Sequence, residues 1–171
     1  MSRELKYGVI AGGATVIWMT LGYLLGWEQS TMGKYAPYLS LMILALAIYI
    51  TILFKRDRDK NGLLSFKEAF IAGMAVSFVV GLMVGGYLML YVQAIHPGYA
   101  DEMVKSAKEY YESQKFSQEQ IDKGIESTKA MYSPFGQFTY GIGTTMLVGV
   151  FISVIVGALM QRKEKVIGGR S

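Results

Sequence analysis

Four stretches of this chain, 7–27, 35–54, 69–95 and 130–161, carry no charged side chain, and charges crowd the segments between them. A helix rising 1.5 Å per residue crosses ~30 Å of hydrocarbon in about 20 residues, so each stretch is long enough to span a bilayer. The pattern predicts an all-α integral membrane protein with spans at about 7–27, 35–54, 67–95 and 136–160. The first stretch lacks an alanine-type cleavage site and reads as a retained span rather than a signal peptide. Between the third and fourth spans lies the one sizeable segment outside the bilayer, 99–135. Met103, Val104, Ala107, Tyr110 and Tyr111 recur there at helical spacing, as do Ile121, Ile125, Thr128 and Tyr132. Two amphipathic helices forming an extracytoplasmic hairpin are expected, with Ser117 and Gln120 as a capping box for the second.

Within the spans the apolar residues do not alternate with polar ones, so small residues are the informative signal. Gly8, Gly12, Thr15, Gly22 and Gly26 fall on one side of the first span; Gly73, Ser77, Gly81 and Gly85 recur every four residues in the third. Gly141, Thr145, Gly149, Ser153 and Gly157 do the same in the fourth. Small residues at such intervals let helix backbones approach, and helices in lipid cohere through packing rather than apolar burial. The fourth-span stripe is therefore expected to face that of the third or the first. The second span has no glycine from Leu39 to Phe54, so it is expected to face lipid over much of its surface, Ala47 included. Pro37 is expected in its first turn, where a missing amide is harmless.

The charged turn 55–68 supports two readings that share residues. Asp57, Asp59, Asn61, Gly62 and Glu68 fit D-x-[DN]-x-[DN]-G-x5-E, with Leu64 at the eighth position and Ser65 at the ninth. That order suits calcium, which takes six to eight oxygens and needs a glycine at the sharp turn. Asp57, Asp59, Asn61 and Glu68 are the candidate ligands. Alternatively, Ser65 caps a helix starting at Phe66 and Glu68 reaches back to the cap amide, the S-x-x-E capping box.

Composition narrows the chemistry. The net charge is +4, but Lys and Arg sit at span ends rather than along one face, which argues for membrane topology and against nucleic acid. Cysteine is absent, so disulfides and thiolate chemistry are excluded. No ionisable residue lies in the middle of a span, where proton relays and ion pathways usually place one. Hydroxyls at Thr15, Thr20, Thr51, Ser77, Thr144, Thr145 and Ser153 could line a polar path or simply bond their own helix. His96, the single histidine, reads as an interfacial residue. No phosphate loop or nucleophile-and-base arrangement is evident, and the chain is not expected to be an enzyme.

KYGVIAG near the start, KYAPYLSL before the second span, GLLSFKEAFIAG after the turn, SQEQIDKGIESTKAMYSPF and the glycine-rich last helix together resemble the bacterial membrane family catalogued as domain of unknown function 4199. The resemblance covers nearly the whole chain and implies a four-span membrane protein without an assigned activity. G-x-L-S-F resembles a recurrent feature of that family; the resemblance does not extend to the acidic residues before the glycine.

Two functional classes follow. The first is a structural or accessory component of a membrane complex or homo-oligomer, with lipid and other subunits as partners and no cofactor beyond the conditional calcium. The alternative is a small oligomeric transporter or channel. Arg3, Lys6, Lys55, Arg56, Arg58, Lys60, Lys67, Arg162, Lys163, Lys165 and Arg170 fall on one side of four spans. By the positive-inside rule both termini are then cytoplasmic in a bacterial inner membrane.

Overall fold

The computed structural model describes residues 2–27 and 30–162, so Lys163, Lys165 and Arg170 of the expected basic face lie outside the described residues. Six helices follow one another: α1 (Arg3–Leu24), α2 (Thr31–Phe54), α3 (Phe66–Leu90), α4 (Tyr99–Ser113), α5 (Gln118–Met131) and α6 (Pro134–Met160). Single π-helical turns, Lys55–Asp59 and Tyr91–Ile95, extend α2 and α3. Serine starts most of the helices. The hydroxyl of Ser2 accepts from the Leu5 amide, that of Ser65 from Glu68, that of Ser117 from Gln120 and that of Ser133 from Gly136. Each thus satisfies an amide that the helix itself cannot, which disfavours fraying into the loop. At both Ser65 and Ser117 the side chain three residues on returns the bond, completing the two capping boxes.

α1, α2, α3 and α6, with the π turns, are long and apolar enough to cross a membrane. This is an all-helical fold of the multi-pass membrane class. α3 is its hub, packing most extensively on α6, then on α1 and α2. Leu147, Phe151, Ile155 and Leu159 form an exposed apolar stripe along α6, opposite its small-residue stripe. The main core lies toward the 55–65 turn, where Ile48, Ile52, Ala69, Ala72 and Val76 have no exposed surface. Across the turn, Leu64 and Arg162 pair as an antiparallel bridge, with N–H to O distances of 3.0 and 2.8 Å. The end of α6 is thereby tied to the start of α3.

Three sequence expectations change. α2 begins at Thr31, so Pro37 sits inside the helix rather than in its first turn, and the Gly33 carbonyl loses the amide that position 37 would have supplied. Ala47 does not face lipid: it is 7% exposed and belongs to the core together with Leu44, Ile48 and Ile52. In a span that is apolar all round, hydrophobicity does not say which face meets protein. Finally, the α1 seam is shorter than its spacing suggested. Gly22 faces the Trp27 ring, and Gly26 lies beyond the helix end with φ +66°, a turn conformation suited to glycine.

Candidate functional site

The small-residue positions divide into two interfaces, both centred on α3. A methyl group at Gly8 would lie 2.7 Å from Val79 Cβ, and one at Gly12 2.5 Å from Met83 Sδ, so α1 packs closely on α3 at these two turns. The α3–α6 interface is longer. A methyl at Gly141 would come within 2.6 Å of Gly85 Cα, and one at Gly81 within 3.2 Å of Ile142 Cα. Nearer the turn, Gly149 meets the Ser77 side chain, Gly73 meets Ser153, and Gly157 meets Phe66 and Ala69. Thr145 flanks Gly81 in the same seam. The fourth-span stripe therefore faces the third span, and these glycines are occupied within one copy of the chain.

The turn shows how its acidic residues are engaged. Asp59 pairs with Arg3 at 2.9 Å, Asp57 with Arg56 at 2.6 Å and Glu68 with Lys60 at 2.6 Å, while Glu4 holds Lys55 at 2.6 Å. Glu68 Oε2 also accepts from the Ser65 amide and hydroxyl. Asn61 and Gly62, at φ 50° and 85°, make the left-handed reversal that the D-x-N-G order anticipates. Of the candidate ligands Asp57, Asp59, Asn61 and Glu68, the three carboxylates are thus each turned to a different cation. Among the described residues no group of three or more His, Asp or Glu is placed to share an ion. The capping box and the cation pairs engage Asp57, Asp59, Ser65 and Glu68 in this conformation.

At the other end of the bundle lies a feature that sequence reasoning missed. A cavity of about 890 Å³ opens between α1 and α2 on one side and α3 and α6 on the other, with the first turn of α4 at its mouth. Trp18 and Trp27 wall it, their rings 4.7 Å apart and tilted by 56°. The Trp18 indole N–H donates to the Ala36 carbonyl at 2.9 Å, clipping α1 to the start of α2 beside Pro37. Leu44, Val80 and Val148 line its inner part, and Ser40, Thr144 and Thr145 add hydroxyls. Thr144 bonds back to Tyr140 of its own helix, as Thr20, Thr51 and Ser77 do to theirs. The Thr15 hydroxyl, on the cavity wall, is 3% exposed and has no partner among the described residues.

An aromatic cluster builds the mouth. Tyr91 meets Tyr23 and Tyr99 edge-on at 5.5 and 5.3 Å, and Tyr99 meets Tyr132 at 5.7 Å. Such edge-to-face contacts are favourable beyond the area they bury. His96 sits among these rings, its Nδ1 3.2 Å from the Tyr91 hydroxyl and its Nε2 3.3 Å from Glu102. The Tyr23 hydroxyl donates to the Ile95 carbonyl at 3.2 Å, where the π turn has displaced the regular helical pattern. The signal in the sequence was the density of aromatics around His96. Their spacing, split between α1, the end of α3, α4 and the end of α5, did not reveal that they converge.

Four membrane-length apolar helices organised on one hub define a multi-pass helical membrane protein. Residues 6–162 match the family model described as protein of unknown function (DUF4199), and the chain belongs to that family. No curated protein and no solved structure matches it.

Proposed function

We propose that the chain is a structural or accessory component of a bacterial inner-membrane assembly, with both termini cytoplasmic and the α4–α5 pair on the outer side. The reading is non-enzymatic. The observation that carries it is the contrast between a bundle whose glycine seams are used within the chain and a polar helix pair that is left uncovered. α4 and α5 pack on each other, yet Ile121 is their single buried residue, and Tyr110 and Phe116 stand exposed. A helix pair with that much free surface suits contact with another protein.

Native purification with and without Tyr110→Ala tests this. One stoichiometric membrane partner, reduced by the substitution, is expected; a chain that purifies alone and monomeric would remove the proposal. Singly introduced cysteines at Ser2 and Ser113 check orientation, because the chain has none of its own. An impermeant thiol reagent added to intact cells should label Ser113→Cys and spare Ser2→Cys, and the reverse pattern would invert the topology.

The runner-up, a small oligomeric transporter or channel, draws on the cavity. A path would have to continue past Ile48, Ile52 and Val76, which fill the bundle toward the turn without exposed surface. In this conformation the cavity is a one-sided vestibule, which favours the accessory role.

A further inference from the structure

The cavity adjoins the α3–α6 seam at Thr145 and the first turn of α4, and its chemistry is uneven. Its inner part is apolar, its mouth is aromatic, and Glu102 is the one carboxylate among its described lining residues, which include no Lys or Arg. The Glu102 side chain is 60% exposed and lies 3.3 Å from His96 Nε2. Around it, residues 99–132 hold seven acidic and five basic side chains. Aromatic faces carry negative charge density and attract cations within ~6 Å of the ring centre. Inside, the buried Thr15 hydroxyl has no hydrogen-bond partner among the described residues, a condition that native structures usually relieve with water or a ligand.

We propose that this cavity is a binding site for a lipophilic organic cation. The apolar body would lie between α2 and α6 against Leu44 and Val148, with the charge near the Trp18–Trp27 pair and within reach of Glu102. Its volume, about 890 Å³, falls within the ~300–1,000 Å³ usual for small-molecule sites. An anion of the same shape meets the ring faces and the carboxylate with the wrong sign. A free lipophilic cation and the amine head of a membrane lipid share this chemistry.

Both tryptophans of the chain line the cavity, so tryptophan emission, excited selectively over tyrosine, reports on this site. The full-length protein in maltoside detergent is titrated with tetraphenylphosphonium and with tetraphenylborate, ions of matched size and opposite charge. Saturable quenching by the cation is expected, at least about tenfold stronger than by the anion. Glu102→Gln should weaken the cation about fivefold or more and should not weaken the anion. Glu102 is exposed, and an unchanged melting temperature shows that this variant is folded. Ser40→Phe, which fills the cavity from α2, should abolish saturation. Quenching equal for both ions, or indifferent to both substitutions, reports partition into the micelle and overturns the site. Pre-incubation with phosphatidylethanolamine or phosphatidylglycerol separates the sources: competition by the first assigns a lipid amine, and competition by neither assigns a free cation. Competition by phosphatidylglycerol alone contradicts the charge selectivity.

Discussion

Near the 55–65 turn, Ile48, Ile52, Val76 and Ser77 lose all exposed surface, and α2 packs against α3 and α6. Near α4, the same α2 leaves a cavity of about 890 Å³ between itself and its neighbours. The two ends of the bundle are built from different residues. Toward the turn, small side chains of α3 and α6 interlock, Gly149 against Ser77 and Gly73 against Ser153, and the Ala47 and Thr51 face of α2 is buried beside them. At the other end α3 and α6 still approach at Gly85 and Gly141, but beside them the Trp18–Trp27 pair, Tyr23 and Tyr99 line an opening bordered by α1 and α2. In lipid, where apolar burial between helices supplies little drive, a close-packed end can fix the fold while an aromatic end stays open.

The largest expected effect breaks the closed end. Gly149→Leu places a branched side chain against Ser77, so the α3–α6 seam must separate. Thermal melting in detergent should show a loss at or beyond the ~1–3 kcal/mol of ordinary overpacking. Unchanged melting would mean that the seam yields without strain.

Ala47→Leu comes next and sharpens the comparison, because it tests the one face of α2, with Ala47 on it, that composition assigned to lipid and that is buried instead. The residue is 7% exposed, so ~1–3 kcal/mol of destabilisation is expected by the same overpacking. Leu46→Ala, on the exposed side of the same turn, should be close to neutral. Equal tolerance at 46 and 47 would return α2 to the lipid.

Ser65→Ala removes the cap of α3 and should cost about 1 kcal/mol, read by the same melting experiment. The smallest effect concerns calcium. Since Asp57, Asp59 and Glu68 are held by Arg56, Arg3 and Lys60, calorimetric titration at millimolar calcium should give no site. A saturable heat lost on Asp57→Ala and Glu68→Gln would require the turn to rearrange round an ion.

These predictions also mark what was legible in the sequence. Charge-free length revealed the four membrane-length helices, and the S-x-x-E and S-x-x-Q patterns gave the starts of α3 and α5, because both signals are local. The unbroken spacing from Gly141 to Gly157 gave the face of α6, and α3 was one of two partners it left open. The face of α2 was hidden, since Leu46 and Ala47 are equally at home in lipid and in protein. The cavity was hidden for another reason. It depends on Trp18, Pro37, Thr145 and Glu102 meeting across four helices, and no periodicity within one helix records such a meeting.

The central claim, that α3 and α6 are held by backbone contact along one face of α6, is tested most directly by two alanines placed two residues apart. A Cβ at Gly141 would meet Gly85 Cα at 2.6 Å, whereas one at Gly143 would meet nothing within 4 Å. Both substitutions bring the same gain in helix propensity, up to ~1 kcal/mol. Melting of Gly141→Ala and Gly143→Ala in the same detergent should therefore move in opposite directions, the first down and the second level or up. Shifts of equal sign and size would place Gly141 against lipid and contradict the packing on which the account rests.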